Sequence, residues 1–234
     1  MNSRLSATAQ KLTLIQLADS FFPSGGYTLS HGLESLIQQN KIQQAEDISS
    51  FLRILLQNKI ATCDLVALIH AYSASAEDDI EQIKQIAAQL YVQTFIETTR
   101  KTQIQSGRAL LMVAQSTWQH PLLETINRQR TLNHFYCLHP VVFGIVGSIA
   151  ELNATDTAIA FLHGFVTGVL SAAIRLGKLG HLQAQQILLQ LATEIEAAYE
   201  TASVMNLDEM WSCTPVIDLA QMRHSNLNSR LFAN

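Results

Sequence analysis

The stretch Asp47-Ile48-Ser49-Ser50-Phe51-Leu52-Arg53-Ile54-Leu55-Leu56-Gln57-Asn58 decides the fold class. Its residues Ile48, Phe51, Leu52, Leu55 and Leu56 recur three and four positions apart, the spacing that gathers apolar side chains on one face of a 3.6-residue helix. The period returns in Ile83, Ile86, Ala87 and Leu90, and again in Ile187, Leu188, Leu191, Ile195 and Tyr199, while no run of alternating Val, Ile or Thr reads as a strand. The expected fold is all-α, a single compact multi-helix domain of about ten helices.

Proline and glycine punctuate the pattern. Pro121, Pro140 and Pro215 stand where a first helical turn would begin, and Gly177 and Gly180 close the most apolar segment. The expected helices span roughly 11–19, 27–40, 47–58, 61–74, 79–118, 121–133, 140–152, 155–176, 181–204 and 207–221. The segment from Glu77 to Trp118 reads either as one helix or as two broken near Gly107. Residues 1–10 are expected to be a flexible N-terminus and 11–221 one helical domain, with no linker or internal repeat. Residues 222–234 are expected to form a partner-binding tail, disordered until something binds it.

Composition narrows the function. Of 234 residues, 48% are hydrophobic and only 15% charged, against roughly 25% charged in a typical soluble domain, so part of the apolar surplus is expected to be covered by a partner. The net charge of −4 offers no basic field for nucleic-acid phosphates. Cys63, Cys137 and Cys213 are odd in number and widely spaced, which fits a reducing, cytoplasmic compartment. No export signal is visible at the N-terminus. Residues 157–174, with Gly164 and Gly168 four apart, approach the length of a membrane span. His163 within them and Asp156 and Arg175 at their ends favour a buried helix, with Arg175 needing a polar partner.

Catalytic motifs are lacking: there is no Gly-x-Ser-x-Gly elbow, no His-Glu-x-x-His pair, no Cys-x-x-Cys, and Leu179 follows Gly177-Lys178 where a phosphate-binding loop needs Ser or Thr. No enzyme activity and no cofactor are expected. His134, Cys137 and His139 are the most metal-like group, offering imidazole and thiolate without a fourth ligand, so a helical metal-binding protein or metalloenzyme built on them stands as the alternative.

Three further regions hold polar residues in unusual company. The run from Asp19 to Glu34 contains Pro23 and Gly25-Gly26-Tyr27, then Ser30, His31 and Glu34 within about one helical turn. Arg100, Arg108 and Arg175 offer rigid donor forks suited to interfaces. In the tail, Arg223, His224, Ser229, Arg230, Leu231 and Phe232 combine charge with apolar anchors.

These stretches resemble the urease accessory protein family UreF over nearly the whole chain, from Leu14 to Phe232. Pro23, Gly25-Gly26-Tyr27 and Ser30-His31-Gly32-Leu33-Glu34 look like one family signature, and His139-Pro140-Val141-Val142-Phe143-Gly144 like another. Ser171-Ala172-Ala173-Ile174-Arg175-Leu176-Gly177 and Met222-Arg223-His224 with Ser229-Arg230-Leu231-Phe232 are similar to the late helix and the C-terminus. His181 stands where the family usually has glutamine, and Asn228 where it has tyrosine. The resemblance implies a urease maturation factor: a homodimeric, cytoplasmic, non-catalytic chaperone or scaffold that binds UreD (UreH in some systems). Through that complex it would engage the GTPase UreG and apo-urease, modulate the GTPase and enable nickel insertion. It further implies partner contacts by Arg223, His224, Ser229, Arg230, Leu231 and Phe232, and a dimer or GTPase-facing surface of Tyr27, Ser30, His31, Glu34, Arg100 and Arg175. No membrane association is implied.

Overall fold

The computed structural model describes residues 6–19, 22, 29–227 and 229–233; Tyr27, Pro23, Gly25, Gly26 and Asn228 lie outside them. Among the described residues there are helices and no strand, as the 3.6-residue period predicts. The helices are α1 (Ala7–Ala18), α2 (Leu33–Gln38), α3 (Ala45–Leu55), α4 (Leu65–Ala76), α5 (Ile80–Gln93), α6 (Glu97–Trp118) and α7 (Pro121–Thr131). After them come α8 (His139–Ile149), α9 (Ala154–Arg175), α10 (His181–Gln190), α11 (Ala192–Val204) and α12 (Pro215–His224).

Where the helices differ from expectation, local chemistry explains it. The first helix begins at Ala7 rather than Lys11 because the Ser6 hydroxyl accepts a bond from the Ala9 amide, so residues 7–10 belong to α1 and not to a flexible end. The helix expected over 27–40 shrinks to Leu33–Gln38, since His31 (φ 53°) and Gly32 (φ 87°) are left-handed and cannot extend it backwards. Between α3 and α4 the chain does not break: Leu56–Asp64 is π-helical, joining both into one continuous rod.

The long segment divides at Thr94–Ile96, not at Gly107; the Thr94 hydroxyl and amide both bond Leu90 O and close α5. Gly107 is instead a contact point. A Cβ there would stand 2.1 Å from the Cys137 carbonyl oxygen, so only glycine lets α6 pass so near residues 137–139. The expected 181–204 helix is divided at Leu191, and 207–221 resolves into a 3-10 turn at Leu207–Glu209 followed by α12 from Pro215.

At the centre α4 packs along α8, where Gly144 admits the Leu68 carbonyl. Helix α8 is buried from Pro140 to Gly147, with α6 and α9 against it. Leu33, Ile48, Leu52, Leu55, Leu65, Leu68, Ile83, Ile86, Leu90 and Leu110 are fully buried, each contributing about 1.5–3 kcal/mol of apolar transfer to one contiguous core. Helix α9 is long and apolar enough to cross a membrane by length and composition, and 56% of its most apolar window is buried inside the fold.

Candidate functional site: a C-terminal clasp beside a polar cavity

Helix α2 starts abruptly. The left-handed His31 and Gly32 turn the chain so that the next residues, Leu33 and Glu34, point inward, and Glu34 is 2% exposed. A carboxylate so deep requires several donors. Three reach it from the far end of the chain: the Leu231 amide (2.7 Å), the Phe232 amide (3.2 Å) and His224 Nε2 (2.8 Å). With an acceptor-only carboxylate facing it, the ring nitrogen of His224 donates.

Around this clasp the fit is close. A Cβ on Gly32 would meet Gln221 Cγ at 3.1 Å and Ile217 O at 3.2 Å, so the glycine serves both the turn and the approach of α12. Gln221 bonds the Thr99 hydroxyl and reaches toward His31 O, tying α12 to α6 and to the turn. Gln38 Nε2 donates to Ser229 O at 3.0 Å, and the Arg175 guanidinium lies 4.2 Å from the Phe232 ring centroid, a cation–π contact.

The structure therefore joins residues that the sequence reading assigned to separate surfaces. Glu34 and Arg175, from the expected dimer or GTPase-facing set, contact His224, Leu231 and Phe232 of the tail. Instead of lying disordered, the described part of the tail folds onto its own chain. Arg223, Ser229, Arg230 and Leu231 keep exposed side chains, while His224 and Phe232 are buried. Ser30 is buried, and Arg100 turns to the Tyr91 ring, 4.5 Å from its centroid.

Beside the clasp lies a cavity of about 520 Å³ between α1, the π-helical segment, α6, α8 and α9. The wider π turn brings Lys59 and Asp64 together inside the protein, 3.9 Å apart and both nearly inaccessible. Burial works against the Lys59 charge, but Asp64, Cys63 and Asp218 outweigh it and raise its pKa. Gln103 Nε2 donates to Asp64 at 3.1 Å, leaving buried Gln103 Oε1 without a protein partner among the described residues, as is His139 Nε2.

Two imidazoles face this cavity. Burial, then the charges of Lys59 and His139, pushes His31 down to about 4, and burial does the same to His139. His31 sits edge-on to Phe165, and His139 lies between Phe143 and Phe161, ring centroids 5.7 and 5.8 Å away. The other members of the metal-like group are elsewhere: His134 is exposed on the loop after α7, and Cys137 is buried with its thiol pushed up to about 12. Among the described residues no three His, Cys, Asp or Glu side chains gather as metal ligands.

Lys59, Asp64, Gln103 and Gln221 are site residues that no sequence motif marks. A Lys and an Asp five positions apart between the apolar runs of α3 and α4 were a usable signal for the first pair. Gln103 and Gln221 gave none.

A model of the UreF family matches residues 42–192. The chain belongs to the UreF family of urease accessory proteins. It is 55% identical over 229 residues to the urease accessory protein UreF of Trichodesmium erythraeum, covering 98% of this chain and 99% of that one. To urease accessory protein UreF 1 of Brucella melitensis it is 31% identical over 227 residues, covering 95% and 92%. To UreF of a Bradyrhizobium species it is 30% identical over 216 residues, covering 90% and 86%. The two terminal parts of the clasp, α2 and the tail, lie outside the segment matched by the family model.

Proposed function

We propose that this UreF-family chain is a non-catalytic scaffold of urease maturation, acting in the cytoplasm. It binds UreD (or UreH) through α12 and the clasped tail, and as a homodimer engages UreG and apo-urease so that nickel is inserted. The observation that carries this reading is the outer surface of the clasp. While His224 and Phe232 anchor inward, Val216 (65% exposed), Leu219 (52%), Met222 (50%) and Leu231 (58%) face outward beside Arg223 and Arg230. Apolar residues presented with arginines on a rigidly held element have the composition of a protein interface.

Helix α9 supports the dimer. Positions 164 and 168 are glycine, yet among the described residues a Cβ at either would meet nothing within 4 Å, unlike Gly107, Gly144 and Gly147, which are filled by their neighbours. Both glycines line the cavity described above, and a small-residue stripe left open there on a 22-residue apolar helix suits close crossing by a helix of a second copy.

The test is urease activation in cells lacking this chain, with nickel added and UreD and UreG present. Activation is expected to be lost and restored by the intact chain. It should not be restored by a Leu219→Asp/Leu231→Asp variant that retains its helicity but no longer co-purifies with UreD. Unchanged activation without the chain would overturn the scaffold reading, and co-purification by the variant would overturn the α12–tail assignment.

A further inference from the structure

A second surface, built on α5, α6 and the loop after α7, is not used by the clasp. Tyr91 of α5 and Tyr136 of the loop stack with ring centroids 3.9 Å apart and planes 21° from parallel, and the Arg100 guanidinium stands 4.5 Å from the Tyr91 centroid. Tyr136 is exposed, as are Leu132, four residues before it, and Phe95, four residues after Tyr91. The loop is held firmly: the His134 amide bonds Gln129 O, and the Cys137 carbonyl nests against Gly107 of α6. Arg108 follows Gly107, which packs against the Cys137 carbonyl, and Arg130 stands in the last turn of α7 just before the loop, so both adjoin it.

Charge is distributed unevenly here. Between Phe95 and His139 the chain carries Arg100, Lys101, Arg108, Arg128 and Arg130 against only Glu97 and Glu124, in a protein of net charge −4. Lys101 is neutralised by Glu97 at 2.6 Å. Among the described residues none of the four arginines forms an ion pair, although Arg130 is steadied by hydrogen bonds to Asn127. Arg108 and Arg130, without ion-pair partners among the described residues, and Arg100, which shares the charge of Glu97 with Lys101, stand with a stacked tyrosine pair and combine the residue types that carry most binding energy at interfaces.

We infer that this face docks an acidic protein surface, with Tyr136 as the apolar anchor and Arg100, Arg108 and Arg130 pairing with its carboxylates. The occupant follows from charge complementarity. A basic, aromatic patch on an otherwise acidic chain attracts an acidic partner and disfavours a second copy of itself, whose matching patch would bring like charges together. The inference rests on the maturation reading for its choice of probes: purified apo-urease, UreD and UreG.

Binding of each probe to the full chain is measured at low and high salt, together with thermal unfolding and urease activation in cells. The chains compared are the wild type, Arg100→Glu/Arg108→Glu, Tyr136→Ala and the milder Arg108→Ala. The expected result is that one probe binds the charge-reversed and Tyr136→Ala chains roughly ten-fold more weakly, and that its binding to the wild type weakens with salt. If the charge-reversed chain unfolds early, Arg108→Ala must show the same selective loss. Equal binding of all three probes to every folded variant overturns the inference, as does a change confined to the chain's own oligomeric state. Activation lost on deleting the chain but unaffected by these substitutions overturns it while sparing the maturation reading. Activation unaffected by deletion sinks both.

Discussion

Glu34 and His224 face each other at 2.8 Å across a buried contact that spans 190 positions of sequence. That contact closes the C-terminal end of the chain onto the short helix behind the Pro-Gly-Gly stretch. It holds α12 with Val216, Leu219 and Met222 facing outward.

Removing the acceptor should open the clasp. Glu34→Ala leaves the Leu231 and Phe232 amides and the His224 ring without their common partner, and is expected to cost about 3 kcal/mol or more. Unfolding in urea gives the stability, and limited proteolysis shows whether cleavage now begins within residues 225–233. A tail equally resistant in the variant would show that the Arg175–Phe232 and Gln38–Ser229 contacts hold it without Glu34.

Glycine substitutions should separate the inside of the protein from its open face. Gly107→Ala forces a methyl against the Cys137 carbonyl and should lower stability by roughly 1–3 kcal/mol. Gly164→Ala meets nothing among the described residues and should be neutral or gain about 0.5–1 kcal/mol from helix propensity. If α9 forms the proposed dimer contact, Gly164→Leu is expected to leave the thermal midpoint nearly unchanged while shifting sedimentation toward the monomer.

The buried pair beside the cavity should be intolerant of neutralising one member. Asp64→Asn strands the Lys59 ammonium in the interior and is expected to cost roughly 3–5 kcal/mol. The double change Lys59→Met/Asp64→Leu should recover most of that loss, as denaturant midpoints of both variants will show.

Acid should weaken the fold through two histidines. His31 and His139 are held near 4, below the ordinary 6.5, so between those values the unfolded chain binds more protons than the folded one. Their contribution is complete above about 6.5, declines as pH falls toward about 4, and changes no further below it. Urea midpoints measured across this window should fall with acidification, and His139→Gln should flatten the slope. An unchanged slope would mean that the ring is protonated inside the fold.

The sequence made the helices legible because amphipathic periodicity is local: Ile48 to Leu56 announce their buried face without reference to any other segment. Helix breaks were harder. Thr94 ended a helix through a side-chain bond to Leu90, and the π turn at Leu56–Asp64 preserved continuity where a gap was expected. Neither has a strong composition signal. Of the site, the individual residues Glu34, Arg175, His224, Leu231 and Phe232 stood out as polar or aromatic groups in unusual company, but as members of two surfaces.

What the sequence determined by itself was the all-α class, the family and the identity of the residues that matter, since periodicity and ordered motifs are written along the chain. What only the tertiary structure decided was that Glu34 and the tail form one clasp, that Gly107 is packed while Gly164 is open, and that Lys59, Asp64 and Gln103 meet at one cavity. Each of these depends on contacts between distant segments. A buried carboxylate selects its donors by position in space, and no local pattern records which distant donors will reach it.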